Sequence, residues 1–334
     1  MRKVAIGFVL FAVIALAMYL RLRKPRPPME VAYAGNRQVT LWSTTAQVRE
    51  PVATLTFGDR VGVLHRFEDD VQIRTQAGAT GWVNKRELLS SEVWEGGREL
   101  AKRAETMPVE ARGHTAVLSN LHLDPGRQMP RIEQLGKDVP VVLLARQVVA
   151  YKQEGEPDEE DVSTGASDTA RKEDWWLVLA KTPDEGNVAG WVLGRFIDLD
   201  VPQPLPDYAD SAGLRIVSWF NLNSMRDASG TMEPQYLVLG AKGPEGQLCD
   251  FSQVRVYTWS VKHSQYETAF VDSDVCGKLP LNLKHDARPS GDITFSFQDW
   301  TNGPPTPRTY LMRETIVRRI GEKERAQSGK EGRR

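Results

Sequence analysis

The chain has 334 residues and a mass of 37.4 kDa, enough for two or three domains at roughly 100–200 residues each. Its 43 Lys and Arg against 44 Asp and Glu give a formal net charge of −1, which argues against the strongly basic domain of a dedicated nucleic-acid binder. Hydrophobic residues make up 40%, enough for packed cores, and two Cys exclude a disulfide-dense scaffold or a four-thiolate metal site.

At the N-terminus, Arg2 and Lys3 precede an uncharged run from Val4 to Leu20. Its length is at the short end of the roughly 17–25 residues that cross a bilayer as a helix. Arg21, Arg23, Lys24 and Arg26 follow at once. This pattern predicts a single-pass membrane anchor over residues 1–20. Two other readings stay open: cleavage as a signal peptide at Ala15-Leu16-Ala17, and a buried core helix. No Cys follows the apolar run, so lipid attachment by a lipoprotein route has no acceptor. Residues 21–36, dominated by Arg and Pro, read as a stiff tether.

From Gln38 the pattern changes to short β-like runs: Val39–Trp42, Ala53–Leu55, Arg60–Leu64, Val71–Arg74, Gly81–Val83 and Glu87–Leu89, punctuated by Gly58-Asp59 and Gly78. Such spacing predicts a small barrel or sandwich over residues 37–90. A second unit, residues 113–200, repeats this grammar. Ala116–Leu118 corresponds to the first strand, Val139–Ala145 to Val61–Leu64, Trp176–Leu179 to Val71–Arg74, and Gly190-Trp191-Val192 to Gly81-Trp82-Val83. The second copy is longer because residues 152–174 carry a polar, strongly acidic run with no large apolar residue except Val162. That run cannot bury enough apolar surface to offset its ordering entropy, so it reads as a disordered hairpin insertion.

Both units resemble the bacterial SH3 domain, an extracytoplasmic relative of SH3. Unit one carries the resemblance on Gly58-Asp59, Val61-Gly62-Val63, Val71 and Ile73, Gly81-Trp82-Val83 and Leu88, without the usual aromatic at Val71. Unit two carries it on Gly136, Val141-Val142-Leu143, Trp176 and Val178, Gly190-Trp191-Val192 and Ile197. The resemblance implies SH3-like barrels that bind rather than catalyse, with cell-wall peptide as a common ligand of the family and wall hydrolases as common neighbours.

Residues 91–112 read as a partly helical linker, with Trp94, Leu100, Ala101 and Ala104 near helical spacing and Gly96-Gly97 weakening the helix. Residues 201–211 are a Pro-rich linker, 321–334 a polar tail, and 212–320 a third, β-rich domain without a recognised family, with candidate strands at Leu214–Asn221, Tyr236–Ala241, Val254–Val261, Tyr266–Val271, Ile293–Gln298 and Tyr310–Ile320. The fold class expected is therefore all-β, with an N-terminal transmembrane helix, two tandem SH3-like barrels and a C-terminal β domain.

Chemistry-bearing residues are few. Cys249 and Cys276 would close a loop of 26 intervening residues if paired, which an oxidising compartment favours. The alternatives are a Cys nucleophile served by His263 or His285, or two reduced thiols. Neither Cys opens a helical run of the kind that carries a cysteine-peptidase nucleophile. The five His (His65, His114, His122, His263, His285) show no metal-ligand spacing, so no metal and no cofactor is expected. The candidate ligand-binding residues are Trp42, Trp82, Trp175, Trp176 and Trp191, since aromatics line the peptide groove of SH3-type barrels. The competing reading places Trp82 and Trp191 in the barrel packing.

The two Lys and Arg before the apolar run against four after it favour a cytoplasmic body. The paired cysteines and the module type favour the exterior, which is the orientation adopted. The function expected is noncatalytic: a membrane-anchored envelope protein whose barrels bind cell-wall peptide or a protein partner in the periplasm, acting as a scaffold. The alternatives are an enzyme with its site in residues 212–320, and a scaffold facing the cytoplasm.

Overall fold

The structure is a computed structural model, and it describes residues 30–151, 171–182, 186–286 and 291–321. The predicted anchor over 1–20, the Ala17 cleavage site, most of the tether, the bulk of the acidic insertion and the polar tail lie outside these residues. Among the described residues no helix is long and apolar enough to cross a membrane. The chain divides into two units, residues 1–94 and 95–334, and both are dominated by antiparallel strands.

The first unit contains β1 (Glu30–Ala34), β2 (Gln38–Trp42), β3 (Pro51–Thr56), β4 (Arg60–Phe67), β5 (Asp70–Arg74), β6 (Thr80–Asn84) and β7 (Leu88–Ser90). They form one sheet in the order β3-β2-β6-β5-β4-β1-β7. Strand alternation sends Ala32, Val39, Leu41, Leu55, Val61, Val63, Val71, Ile73 and Val83 into a single core, while the residues between them face outward. Glu30–Ala34, which the sequence reading places in the tether, is thus a sheet strand, paired with both β4 and β7. Its short alternation was masked by the Pro- and Arg-rich residues before it. Gly81 lies so close to β2 that a Cβ there would meet the Trp42 carbonyl oxygen at 2.5 Å, so the glycine of Gly-Trp-Val is required for β2 and β6 to pair.

The second unit begins with most of helix α1 (Ser91–Ala104) and a second seven-stranded sheet: β8 (Ala111–Thr115), β9 (Ser119–His122), β10 (Arg131–Leu135), β11 (Pro140–Tyr151), β12 (Arg171–Thr182), β13 (Gly186–Leu193) and β14 (Ile197–Leu199). Its order, β10-β9-β13-β12-β11-β8-β14, matches the first sheet strand for strand. Gly190 repeats the close approach of Gly81, with a Cβ position 2.7 Å from Leu121 Cβ. The register shift between Val63 and His65 in β4 recurs between Leu143 and Ala145 in β11. A 3₁₀ turn precedes the closing strand in each copy, Lys85–Glu87 and Gly194–Phe196.

Residues 171–174, read from sequence as the end of a disordered insertion, are part of β12, and Glu173 and Asp174 are buried. Their order comes from ion pairs with residues remote in sequence. Arg127 and Arg195 hold Glu173 at 2.5 and 2.9 Å, and Arg146 holds Asp174 at 2.5 Å. Polar composition signals disorder only where such partners are missing.

The Pro-rich linker contains a short helix, α2 (Leu205–Ser211), which starts at a proline-compatible first turn and buries Leu205 and Ala209. Two four-stranded antiparallel sheets follow. The first is β15 (Arg215–Arg226), β16 (Met232–Ala241), β17 (Gln253–Ser260) and β18 (Gln265–Asp272); the second is β19 (Gly277–His285), β20 (Ile293–Asp299), β21 (Thr306–Arg313) and β22 (Ile316–Ile320). The segment Tyr310–Ile320, one strand in the sequence reading, is a hairpin turning at Glu314, whose φ is 54°. The two sheets pack as a sandwich. Leu237, Leu239, Val254 and Val256 share one core with Phe295, Phe297, Tyr310 and Met312, and Phe270 meets Tyr310 edge-on at 5.5 Å. The other face of the β15–β18 sheet is covered by α2, through Leu205 and Tyr208 against Tyr236, Tyr257 and Tyr266. The sandwich core is continuous with the inward face of the second seven-stranded sheet at Leu121, Leu143, Trp176 and Val178.

Candidate ligand-binding face

The outer face of the first seven-stranded sheet carries a cross-strand row. Trp42 on β2 pairs with Trp82 on β6, Trp82 with Gln72 on β5, and Gln72 with His65 on β4. Because strand side chains alternate, the buried neighbours Leu41, Val83, Val71 and Ile73 force these four outward. Trp42 and Trp82 are half-buried and His65 is exposed. The His65 ring stands edge-on to Trp82 at 6.2 Å and 83°.

A loop over residues 43–50 completes the row at its other end. The Ser43 N–H donates to the Glu50 carbonyl at 2.9 Å, and the Glu50 N–H donates to the Ser43 hydroxyl at 3.1 Å, so the loop is pinned at its base. This sets the Arg49 guanidinium 4.3 Å from the centre of the Trp42 ring. Val48, at 92% exposed, stands at the loop tip. The result is a continuous strip of cation, two indoles, an amide and an imidazole. It offers flat apolar area flanked by hydrogen-bonding groups, a combination suited to an extended peptide.

The equivalent row of the second seven-stranded sheet is His122, Trp191, Leu177 and Ala145. It is covered. Leu100 and Ala104 of α1 form one cluster with Leu177, Ala189, Leu144 and Ile132, and Ala101, Ala145 and Trp191 pack against it. Gly97 makes this possible: a Cβ there would meet Ile132 Cγ2 at 2.9 Å. The glycine pair that weakens α1 on propensity is a packing contact.

Two of the five candidate tryptophans, Trp42 and Trp82, are therefore brought together on an accessible face. Trp191 is half-buried beneath the α1 cluster. Trp175 and Trp176 are corrected: they are 2% and 4% exposed and offer no ligand surface. The six consecutive residues Glu173–Val178 are all buried, since β12 is covered on both faces, and strand alternation then no longer separates inside from outside. Sequence reasoning missed Arg49, His65 and Gln72. The pairing of residues on β4, β5 and β6 was the available signal for the last two, and Arg49 had none.

Cys249 and Cys276 form a disulfide, with Cα atoms 4.9 Å apart, linking the β16–β17 connection to the β18–β19 connection. His263 bonds Glu267, and His285 Nε2 lies 2.6 Å from the Leu222 carbonyl. Among the described residues no group of three or more His, Cys, Asp or Glu is placed to hold a metal ion.

No protein-family model matches the chain, and no curated protein matches it. Among solved structures, the chain is similar to an NlpC/P60 family protein from Bacillus cereus ATCC 10987, at 12% identity and a TM-score of 0.22, over 59% of this chain and 65% of that one. It is also similar to NlpC1 from Trichomonas vaginalis, at 9% identity and a TM-score of 0.18, over 73% and 89% of the two chains. NlpC2 from the same organism matches at 10% identity and a TM-score of 0.17, over 85% and 97%. The chain thus spans 65% of the length of the Bacillus protein.

Proposed function

We propose that this chain is a noncatalytic, membrane-anchored envelope protein whose first barrel binds cell-wall peptide along the Trp42–Trp82 row, while its second barrel serves as a scaffold for the C-terminal sandwich. The observation that carries this reading is the difference between the two rows: one is open and aromatic, the other is filled by α1. The resemblance of Gly58-Asp59 and Gly81-Trp82-Val83 to the bacterial SH3 pattern supports a binding role. The Cys249–Cys276 disulfide supports an oxidising, extracytoplasmic setting. It also engages the sulfur that the alternative enzyme reading requires.

The test is co-sedimentation of the full chain with purified peptidoglycan, with and without its stem peptides. Wild-type protein is expected to pellet with peptide-bearing wall. Trp42→Ala and Trp82→Ala are expected to weaken binding at least tenfold, about 1.4 kcal/mol. Trp191→Ala should bind as wild type does. Binding that survives loss of both Trp42 and Trp82 would remove the reading.

A further inference from the structure

The joint between the second barrel and the sandwich is built around buried charge. Arg146 on β11 reaches Asp174 on β12 at 2.5 Å and Asp250, in the β16–β17 connection, at 2.7 Å. Asp174 also accepts the Gly246 N–H at 2.8 Å and faces Arg215 at 3.5 Å. Asp250 also accepts the Leu279 N–H at 2.9 Å and the Lys278 ammonium at 3.1 Å. Each of these cations is thus already committed to Asp174 or Asp250.

Glu110, immediately before β8, enters the same joint without such a partner. Its N–H donates to the Leu143 carbonyl at 2.9 Å, which ties it to the barrel. Its carbonyl accepts the Ser218 hydroxyl from β15. Its Oε2 accepts the Leu281 N–H from β19 at 3.2 Å. Its Oε1 has no partner, although the residue is only 1% exposed. Among the described residues no cation pairs with it.

We propose that Glu110 is a pH-responsive latch in this joint: the neutral carboxyl holds β8 against β15 and β19, and the ionised carboxylate loosens that contact. A carboxylate here has given up its water for one N–H donor, and Asp250, the charged group that acts on it most directly, carries the same sign. Burial, offset in part by the Leu281 N–H and helped by Asp250, raises the Glu110 carboxyl to about 7.

The sign follows from proton linkage. The closed joint binds the Glu110 proton more tightly than an opened, solvated one. Closure is therefore fully supported below the ordinary carboxylate range and is lost as pH rises through about 7. Between pH 5.5 and 8 the closed-to-open ratio is expected to fall roughly thirtyfold.

The experiment is hydrogen exchange of the full chain at pH 5.5, 7 and 8, corrected for intrinsic exchange, read at the peptide containing the Leu281 amide. Protection is expected to fall by that factor in wild type and to stay level in Glu110→Gln. Equal pH trends in the two proteins would overturn the latch. A second measurement needs no variant: the ¹³C shift of the Glu110 carboxyl in wild type, followed through a pH titration. A midpoint near neutrality supports the proposal, and one in the ordinary carboxylate range overturns it.

Discussion

The two seven-stranded sheets share one strand order, one bulge position and one close-approach glycine, yet their outer faces have opposite fates. In the first, Gln72, His65 and Trp82 face outward beside Arg49 and Trp42. In the second, the equivalents Leu177, Ala145 and Trp191 are packed against the cluster formed with α1. The arginine after the bulge shows the same divergence. Arg66 pairs with Glu30 with both side chains about half exposed, whereas Arg146, at the matching register, is buried between two aspartates. Alternation of inward residues thus sets the topology, while the outward positions decide whether a copy presents a surface or takes a partner from its own chain.

The arginine pair is the sharpest way to break this comparison. Arg146→Met is expected to destabilise the second unit by about 3–5 kcal/mol, because Asp174 and Asp250 stay buried without their cation. Urea unfolding monitored in that unit measures it. Next in size is removal of the disulfide that braces the sandwich. Cys249→Ser with Cys276→Ser is expected to cost about 3–4 kcal/mol from the freed loop, read as a lower urea midpoint.

Leu100→Ala tests the filled row directly. Leu100 is 3% exposed, and its truncation is expected to cost about 3 kcal/mol and to increase hydrogen exchange of α1. An effect below about 0.5 kcal/mol would mean that α1 is not what covers the row. The smallest change should come from Arg66→Met, under about 1 kcal/mol in thermal unfolding at low salt, since solvent screens that ion pair. A loss as large as that of Arg146→Met would erase the distinction between the copies.

Much of this organisation was legible in the residues. Gly58-Asp59, the alternating Val71-Gln72-Ile73-Arg74 and the repeated Gly-Trp-Val mark strands and turns that the structure contains, and Val254–Val261 and Ile293–Gln298 closely bracket β17 and β20. The strand Gly277–His285 went unread because Pro280 and its charged residues break the alternation, and α2 because prolines dominate its start. Of the candidate site, Trp42 and Trp82 were legible, while Arg49 depends on a loop closed by Ser43 and Glu50.

The alphabet of short strands and its repetition are written locally, in inward alternation and turn glycines. Coverage, by contrast, comes from packing between segments remote in the chain. Trp175, Trp176, Glu173 and Asp174 sit on a strand whose local pattern suits solvent as well as core. Arg127, Arg195 and Arg146 reach Glu173 and Asp174 from elsewhere in the chain, and Trp176 joins the core shared with the sandwich. Burial on the outer face of a sheet depends on what packs there, and that partner is not encoded in the strand it covers.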